Sequence, residues 1–288
     1  MCRSSFRGDG RATQHPYPAG LEYAVGSCGS CHNARVRPPR RPDLSTGTFR
    51  GYAAAPSCGT IRLVGIAREV FDEALPVAER YAAFLGDAGV ERGLIGPREV
   101  DRLWERHLIN CAVVSEAVPA GAQVVDIGSG AGLPGIVLAI VRPDLRITLL
   151  EPLLRRTTFL DECVQMLGLE NVEVRRARAE EVTKEFSVDV ATARAVAPLE
   201  RLAKWALPLL RPGGELLALK GERAQAELDE AEPVLKRLGA RSTELLQVGR
   251  GMVDPPTTLV RVVAGRGEVV GRRQRAPRRA KGSRKRSS

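Results

Sequence analysis

Val124-Val125-Asp126-Ile127-Gly128-Ser129-Gly130-Ala131-Gly132-Leu133-Pro134-Gly135 is an apolar run that ends in four glycines within eight residues. Its branched aliphatic start reads as a buried strand. The next residues, Ile136–Val141, read as a helix. Glycines between a strand and a helix let the chain turn sharply and let a ligand come close to the backbone. The helix start behind them offers free N–H groups. Gly130-x-Gly132-x-x-Gly135 also fits the dinucleotide fingerprint, a short pattern that is weak on its own.

Working outward, further strands are predicted at Arg146–Leu150, Val172–Arg175, Val188–Thr192, Glu215–Leu219, Ser242–Val248 and Thr258–Val263, with Gln123–Ile127 the first. Amphipathic stretches separate the first five. Such alternation implies an α/β domain with a mostly parallel, seven-stranded sheet covered by helices. The last two strands have no helix between them and suit an antiparallel hairpin at one edge. Before the sheet, residues 61–118 read as helices. Val64, Ala67, Val70 and Phe71 form one stripe, and Val77, Tyr81, Phe84 and Leu85 a second, with Pro76 opening it. A third helix should open at Pro97, carry Val100, Leu103, Trp104, Leu108, Cys111 and Val114, and end near Pro119.

The chain has 288 residues and a formal charge of +10. That charge is unevenly placed. Residues 265–288 hold ten Arg or Lys and one acid, and residues 1–60 hold eight Arg and three acids. The span between them has 26 basic and 30 acidic residues. A basic tail draws polyanions without choosing sequence, or simply keeps a free end solvated. Both ends lack an apolar period and are expected to be disordered: an extension over 1–60 and a tail over 265–288, flanking one domain over 61–264. Cys28-Gly-Ser-Cys31-His32 has the form of a haem attachment site, but no export signal or second ligand pair accompanies it. No metal is expected. No run approaches the ~20 apolar residues of a membrane helix, and the expected location is cytoplasmic.

Asp126 sits two residues before Gly128, and this Asp-x-Gly-x-Gly-x-Gly pattern resembles the first motif of class I S-adenosylmethionine-dependent methyltransferases, a Rossmann-like fold. The next strand ends at Glu151, 19 residues after Gly132, where an acid can accept hydrogen bonds from ribose hydroxyls. Pro212-Gly213-Gly214 before the fifth strand resembles the same fold. A closer resemblance covers about 70% of the chain, from 64 to 264. Trp104-Glu-Arg106-His107-Leu-Ile-Asn110, Asp126-Ile-Gly-Ser-Gly-Ala-Gly-Leu-Pro-Gly135, Ala193-Arg194-Ala195 and Ala218-Leu-Lys220-Gly221 resemble motifs of the RsmG family, also called glucose-inhibited division protein B. The chain departs from it at Thr192, where a serine or similar small residue precedes Ala193-Arg194.

The resemblance implies methylation of guanine N7 in 16S ribosomal RNA, in the decoding-region loop. S-adenosyl-L-methionine is the implied cofactor, and the small ribosomal subunit or its assembly intermediate the implied partner. It also implies that Gly128 and Leu133 contact the cofactor, that Ala179 and Glu180 flank its adenine, and that Arg194 lies beside the transfer site. Arg194 and Lys220 are the expected catalytic positions, and Arg194 could grip a cofactor carboxylate or an RNA phosphate. Arg106 and Lys220 are candidates for phosphate contacts; surface ion pairs are the plain alternative. Trp104 reads as core, and Cys111 and Cys163 as core residues on helices.

The residue inventory fits attack by a lone pair that needs no deprotonation. Residues 61–264 contain a single histidine, His107, which leaves little for a Ser-His-Asp triad or a metal cluster. After the fourth strand there is no Asp-Pro-Pro-Tyr-like run and no Pro-Cys pair. Three other readings stay open on residues alone: a small-molecule methyltransferase, a non-catalytic RNA-binding protein using the basic tail, and, least favoured, a nicotinamide dehydrogenase.

Overall fold

A computed structural model describes residues 58–265. The readings for residues 1–57 of the N-terminal extension, for its Cys28–Cys31 pair and for the basic tail beyond 265 lie outside them, while the last three residues of the expected extension, 58–60, begin the first helix. One sheet of seven strands has the order β3-β2-β1-β4-β5-β7-β6. β1 (Gln123–Ile127), β2 (Arg146–Leu150), β3 (Val172–Arg175), β4 (Val188–Arg194) and β5 (Leu210–Lys220) run parallel. β7 (Thr257–Ala264) pairs antiparallel with both β5 and β6 (Ala240–Val248), so the expected edge hairpin forms. This is the fold of class I methyltransferases. The order reverses between the neighbouring strands β1 and β4, the switch point beyond whose strand ends ligands of open α/β sheets bind.

The central strands β1 and β4 are buried along nearly their whole length because both sheet faces are covered there, whereas the edge strands β3 and β6 are largely half-buried or exposed. On one face pack α1 (Cys58–Phe71), α2 (Leu75–Gly86), the short α3 (Ala88–Glu91) and α4 (Asn110–Ala112), then α5 (Gly135–Val141) and α6 (Leu154–Leu167). α7 (Leu199–Ala206) and α8 (Ala224–Arg237) cover the other, over a separate apolar cluster that includes Leu202, Leu216 and Leu235. Cys111 and Cys163 are buried free thiols in the first of these cores.

Three details differ from the sequence reading. No α-helix separates β3 from β4; a single 3-10 turn, Ala179–Glu181, makes the link. The helix expected from Pro97 is a composite: a 3-10 stretch Pro97–Arg102, a π-helical stretch Leu103–Ile109, α4, and a 3-10 stretch Val113–Ala117. The wider π turns rotate the apolar stripe, so Leu103, Leu108, Cys111 and Val114 are buried while Val100 faces solvent. Trp104 packs edge-on to Phe71 with ring centroids 5.8 Å apart, as a core residue would. Finally, Pro212-Gly213-Gly214 lies within β5 as a bulge: Val188 pairs with Leu210, but Val190 pairs with Glu215.

Candidate functional site

The carboxyl ends of β1, β2 and β4 and the turns after them form one cleft. β1 ends at Ile127, and the chain reverses at Gly128, whose φ of 68° suits a residue without a Cβ. A Cβ there would also stand 3.0 Å from Val196 Cγ1, in the loop after β4. The N–H groups of Gly128 and Ser129 donate to the Leu150 carbonyl, 2.8 and 3.3 Å away, which ties the loop to β2.

Asp126 holds the loop from beneath. It is fully buried, and its carboxylate accepts hydrogen bonds from Gly135 N–H and Thr192 Oγ1, each at 3.2 Å. It therefore joins β1, the start of α5 and β4. Burial pushes its carboxyl up to about 6, although the hydrogen bonds it accepts pull the other way. Gly135 approaches so closely that a Cβ would lie 2.8 Å from Asp126 Oδ2 and collide with Leu149 Cδ2. From α2, the buried Tyr81 hydroxyl donates to the Ala131 carbonyl at 2.9 Å. The stripe of α2 marks Tyr81 as core, but nothing local in the sequence names a partner 50 residues on.

Glu151, at the end of β2, is buried with its carboxylate on the cleft. Gly130 N–H donates to Oε2 at 3.1 Å and Leu153 N–H to Oε1 at 3.0 Å. An ionised carboxylate has about four lone-pair directions, so two remain for a ligand's hydroxyls. The Arg156 guanidinium stands 3.5 Å from Oε2.

The cleft measures about 620 Å³. All the expected cofactor residues border it: Gly128, Leu133, Glu151, Ala179, Glu180 and Arg194. Ile127, Leu150 and Trp205 give it apolar wall. The expected catalytic pair is not brought together in this cleft. Lys220 borders a second, larger one of about 1840 Å³, and Arg194, Ala195 and Val196 border both. Ala195, with φ of 54°, is a non-glycine residue held in the left-handed region between the two clefts.

The Lys220 ammonium is engaged by Glu227 Oε2 at 2.7 Å and the Ala197 carbonyl at 3.0 Å. Glu227 also accepts from Leu199 N–H at 3.2 Å, so the pair braces the chain that follows β4. Arg106, on the larger cleft, bridges to Glu99. Arg194 reaches across to the N-terminal helical part and donates to Cys111 Sγ (3.1 Å), the Arg106 carbonyl (3.0 Å) and His107 Nδ1 (2.7 Å). Among the described residues, no group of three His, Cys, Asp or Glu is placed to hold a metal ion, and no helix is long and apolar enough to cross a membrane.

Residues 74–253 match the family model for rRNA small subunit methyltransferase G. A protein of Thermobifida fusca named ribosomal RNA small subunit methyltransferase G is 62% identical over 223 residues, covering 76% of this chain and 94% of that one. A Streptomyces avermitilis protein of the same name is 62% identical over 219 residues, 76% of this chain and 91% of its own. A third, from Salinispora arenicola, is 52% identical over 229 residues, 75% of this chain and 95% of its own.

Proposed function

The chain belongs to the small-subunit ribosomal RNA methyltransferase G family, and on that premise we propose that it methylates guanine N7 in 16S rRNA of the small ribosomal subunit, within the cytoplasm. The chain is an S-adenosylmethionine-dependent methyltransferase by family. When bound, the cofactor supplies an electrophilic methyl group on a sulfonium. The smaller cleft suits it: apolar walls, a glycine loop that a Cβ would crowd, and a buried carboxylate with lone pairs to spare.

In this reading Gly128 and Leu133 line the cofactor's methionine side and Glu151 accepts its ribose hydroxyls. Ala179 and Glu180 flank the adenine. Arg194 faces the transfer position from the border of the two clefts. Guanine N7 carries a free lone pair, so the protein has to hold it in line with the methyl group rather than remove a proton. Lys220 acts by bracing the Ala197–Leu199 segment, with its ammonium at the edge of the RNA cleft.

The carrying observation is that the last residue of β4 and the loop after it, Arg194–Val196, border both the small cleft and one of about 1840 Å³. The second exceeds the roughly 300–1,000 Å³ of small-molecule sites. That favours a macromolecular acceptor over a metabolite.

The test is methyl transfer from labelled S-adenosylmethionine to small subunits isolated from cells lacking the modification, read as N7-methylguanosine by nucleoside mass spectrometry. The wild-type protein should label one guanine per subunit, and Gly128→Asp should not. Labelling of another base atom, or of no RNA at all, would overturn the assignment.

A further inference from the structure

Arg194 is held by a chain of side chains that the transfer chemistry itself does not require. Its guanidinium donates to His107 Nδ1 at 2.7 Å, and His107 Nε2 lies 2.9 Å from Glu99 Oε2. Arginine has donors only, so Nδ1 must be the acceptor. The ring proton then sits on Nε2 and is donated to Glu99. One tautomer of neutral histidine satisfies both contacts, and protonation of Nδ1 would set a donor against a donor.

We infer that Glu99 and His107 are positioning residues: they fix one histidine tautomer, whose free lone pair aims the Arg194 guanidinium at the border of the two clefts. The arrangement has three independent supports. His107 lies in the π-helical stretch, and its ring meets Arg194 at the end of β4. Arg194 is anchored twice more on the same segment, at the Arg106 carbonyl and Cys111 Sγ, so only the His107 contact depends on protonation near neutrality. The charged groups facing His107 are Arg194 from β4, Arg106 on its own segment, and Glu99 from the preceding 3-10 stretch. Burial, then the Arg194 charge, hold the imidazole below the usual histidine value; the Glu99 hydrogen bond opposes them. Glu99 itself is held below the usual carboxylate range by its hydrogen bond to His107. The ring is therefore neutral at neutral pH, the state the contact needs.

The inference rests on Arg194 working in transfer, as proposed above, and two experiments separate the two claims. The first ignores activity. In protein labelled with ¹⁵N-histidine, with the His107→Asn spectrum used for assignment, His107 should show the Nε2–H tautomer and titrate below ordinary histidine. An Nδ1–H tautomer, or an ordinary titration, refutes the positioning chain whatever the protein catalyses.

The second is a set of kinetic measurements. His107→Leu removes the acceptor and should lower kcat/KM by about tenfold or more, as expected for losing a charge-assisted bond. His107→Asn offers an acceptor oxygen near Nδ1 and should recover most of that loss. It should also lack the acid limb of the wild-type pH profile. In an Arg194→Ala background, His107→Leu should cost nothing further. Additive losses, or equal losses from the leucine and asparagine variants, would overturn the inference. An inactive wild-type protein with the Nε2–H tautomer would instead count against the proposed reaction alone.

Discussion

Asp126→Asn should stabilise the ligand-free protein at neutral pH and leave it nearly unchanged in acid. The Asp126 carboxyl titrates at about 6 in the fold against an ordinary 3.8. Between those values the folded chain holds a proton that the unfolded chain has released. Stability from this group is therefore complete below pH 3.8 and falls as pH rises through about 6. At 1.36 kcal/mol per pH unit of difference, the loss is about 3 kcal/mol. Asparagine has no proton to lose. Its amide oxygen can accept from Gly135 N–H, and its NH2 can donate to Thr192 Oγ1, so both buried contacts survive. Urea unfolding of both proteins at pH 4 and pH 7.5 isolates the effect. The stability difference in favour of the asparagine variant is expected to grow by about 2.4 kcal/mol across that span, since pH 4 already lies just above the unfolded value. A difference that stays constant with pH, or an asparagine variant less stable at pH 7.5, would refute the claim that a charge is buried at the expense of the fold. Asp126→Ala serves as the contrast. It strands the Gly135 N–H and the Thr192 hydroxyl and should destabilise at both pH values, by about 1–3 kcal/mol per group.

Three further outcomes follow from the same geometry. Gly135→Ala places a methyl group against Leu149 and Asp126; it should cost about 1–3 kcal/mol, and calorimetry should show Tm lower by about 2–4 °C per kcal/mol. Glu151→Gln should weaken cofactor binding by about tenfold in titration calorimetry, because a charged acceptor for ligand hydroxyls is lost, and should also lower the unfolding midpoint, because its NH2 cannot accept one of the two N–H groups that Gly130 and Leu153 donate. Lys220→Met should lower Tm by releasing the Glu227 brace, and its effect on RNA binding distinguishes its roles. A direct phosphate contact would reduce the slope of log K against log salt by about 1, whereas a bracing role leaves the slope unchanged.

Much of this architecture is legible from the sequence. β1 and β2 lie where their apolar runs place them, because buried parallel strands read as hydrophobic segments, while the edge strand β3 is marked by the apolar–polar alternation of Val-Glu-Val-Arg. The glycine loop and Glu151 converge because both sit at strand ends on the same side of the switch point. Other features depend on tertiary contact. The π-helical Leu103–Ile109 carries the same apolar spacing that an ordinary helix could, and the widening shows only once it packs against α1 and α2. Asp126 is visible as a motif residue, but its role in joining β1 to β4 needs Thr192, 66 positions away. Lys220 carries a phosphate reading because its location at a strand end is apparent while its Glu227 partner, on α8, is not. The contact between Arg194 and His107 spans 87 positions and has no local signature.

Borohydride–aniline cleavage with primer extension maps N7-methylguanosine in small-subunit rRNA from cells with and without this gene. One signal, in the decoding-region loop, is expected to be lost without the gene. It should return with the wild-type protein but not with Gly128→Asp. An rRNA pattern that is the same in both cells would contradict the proposed reaction.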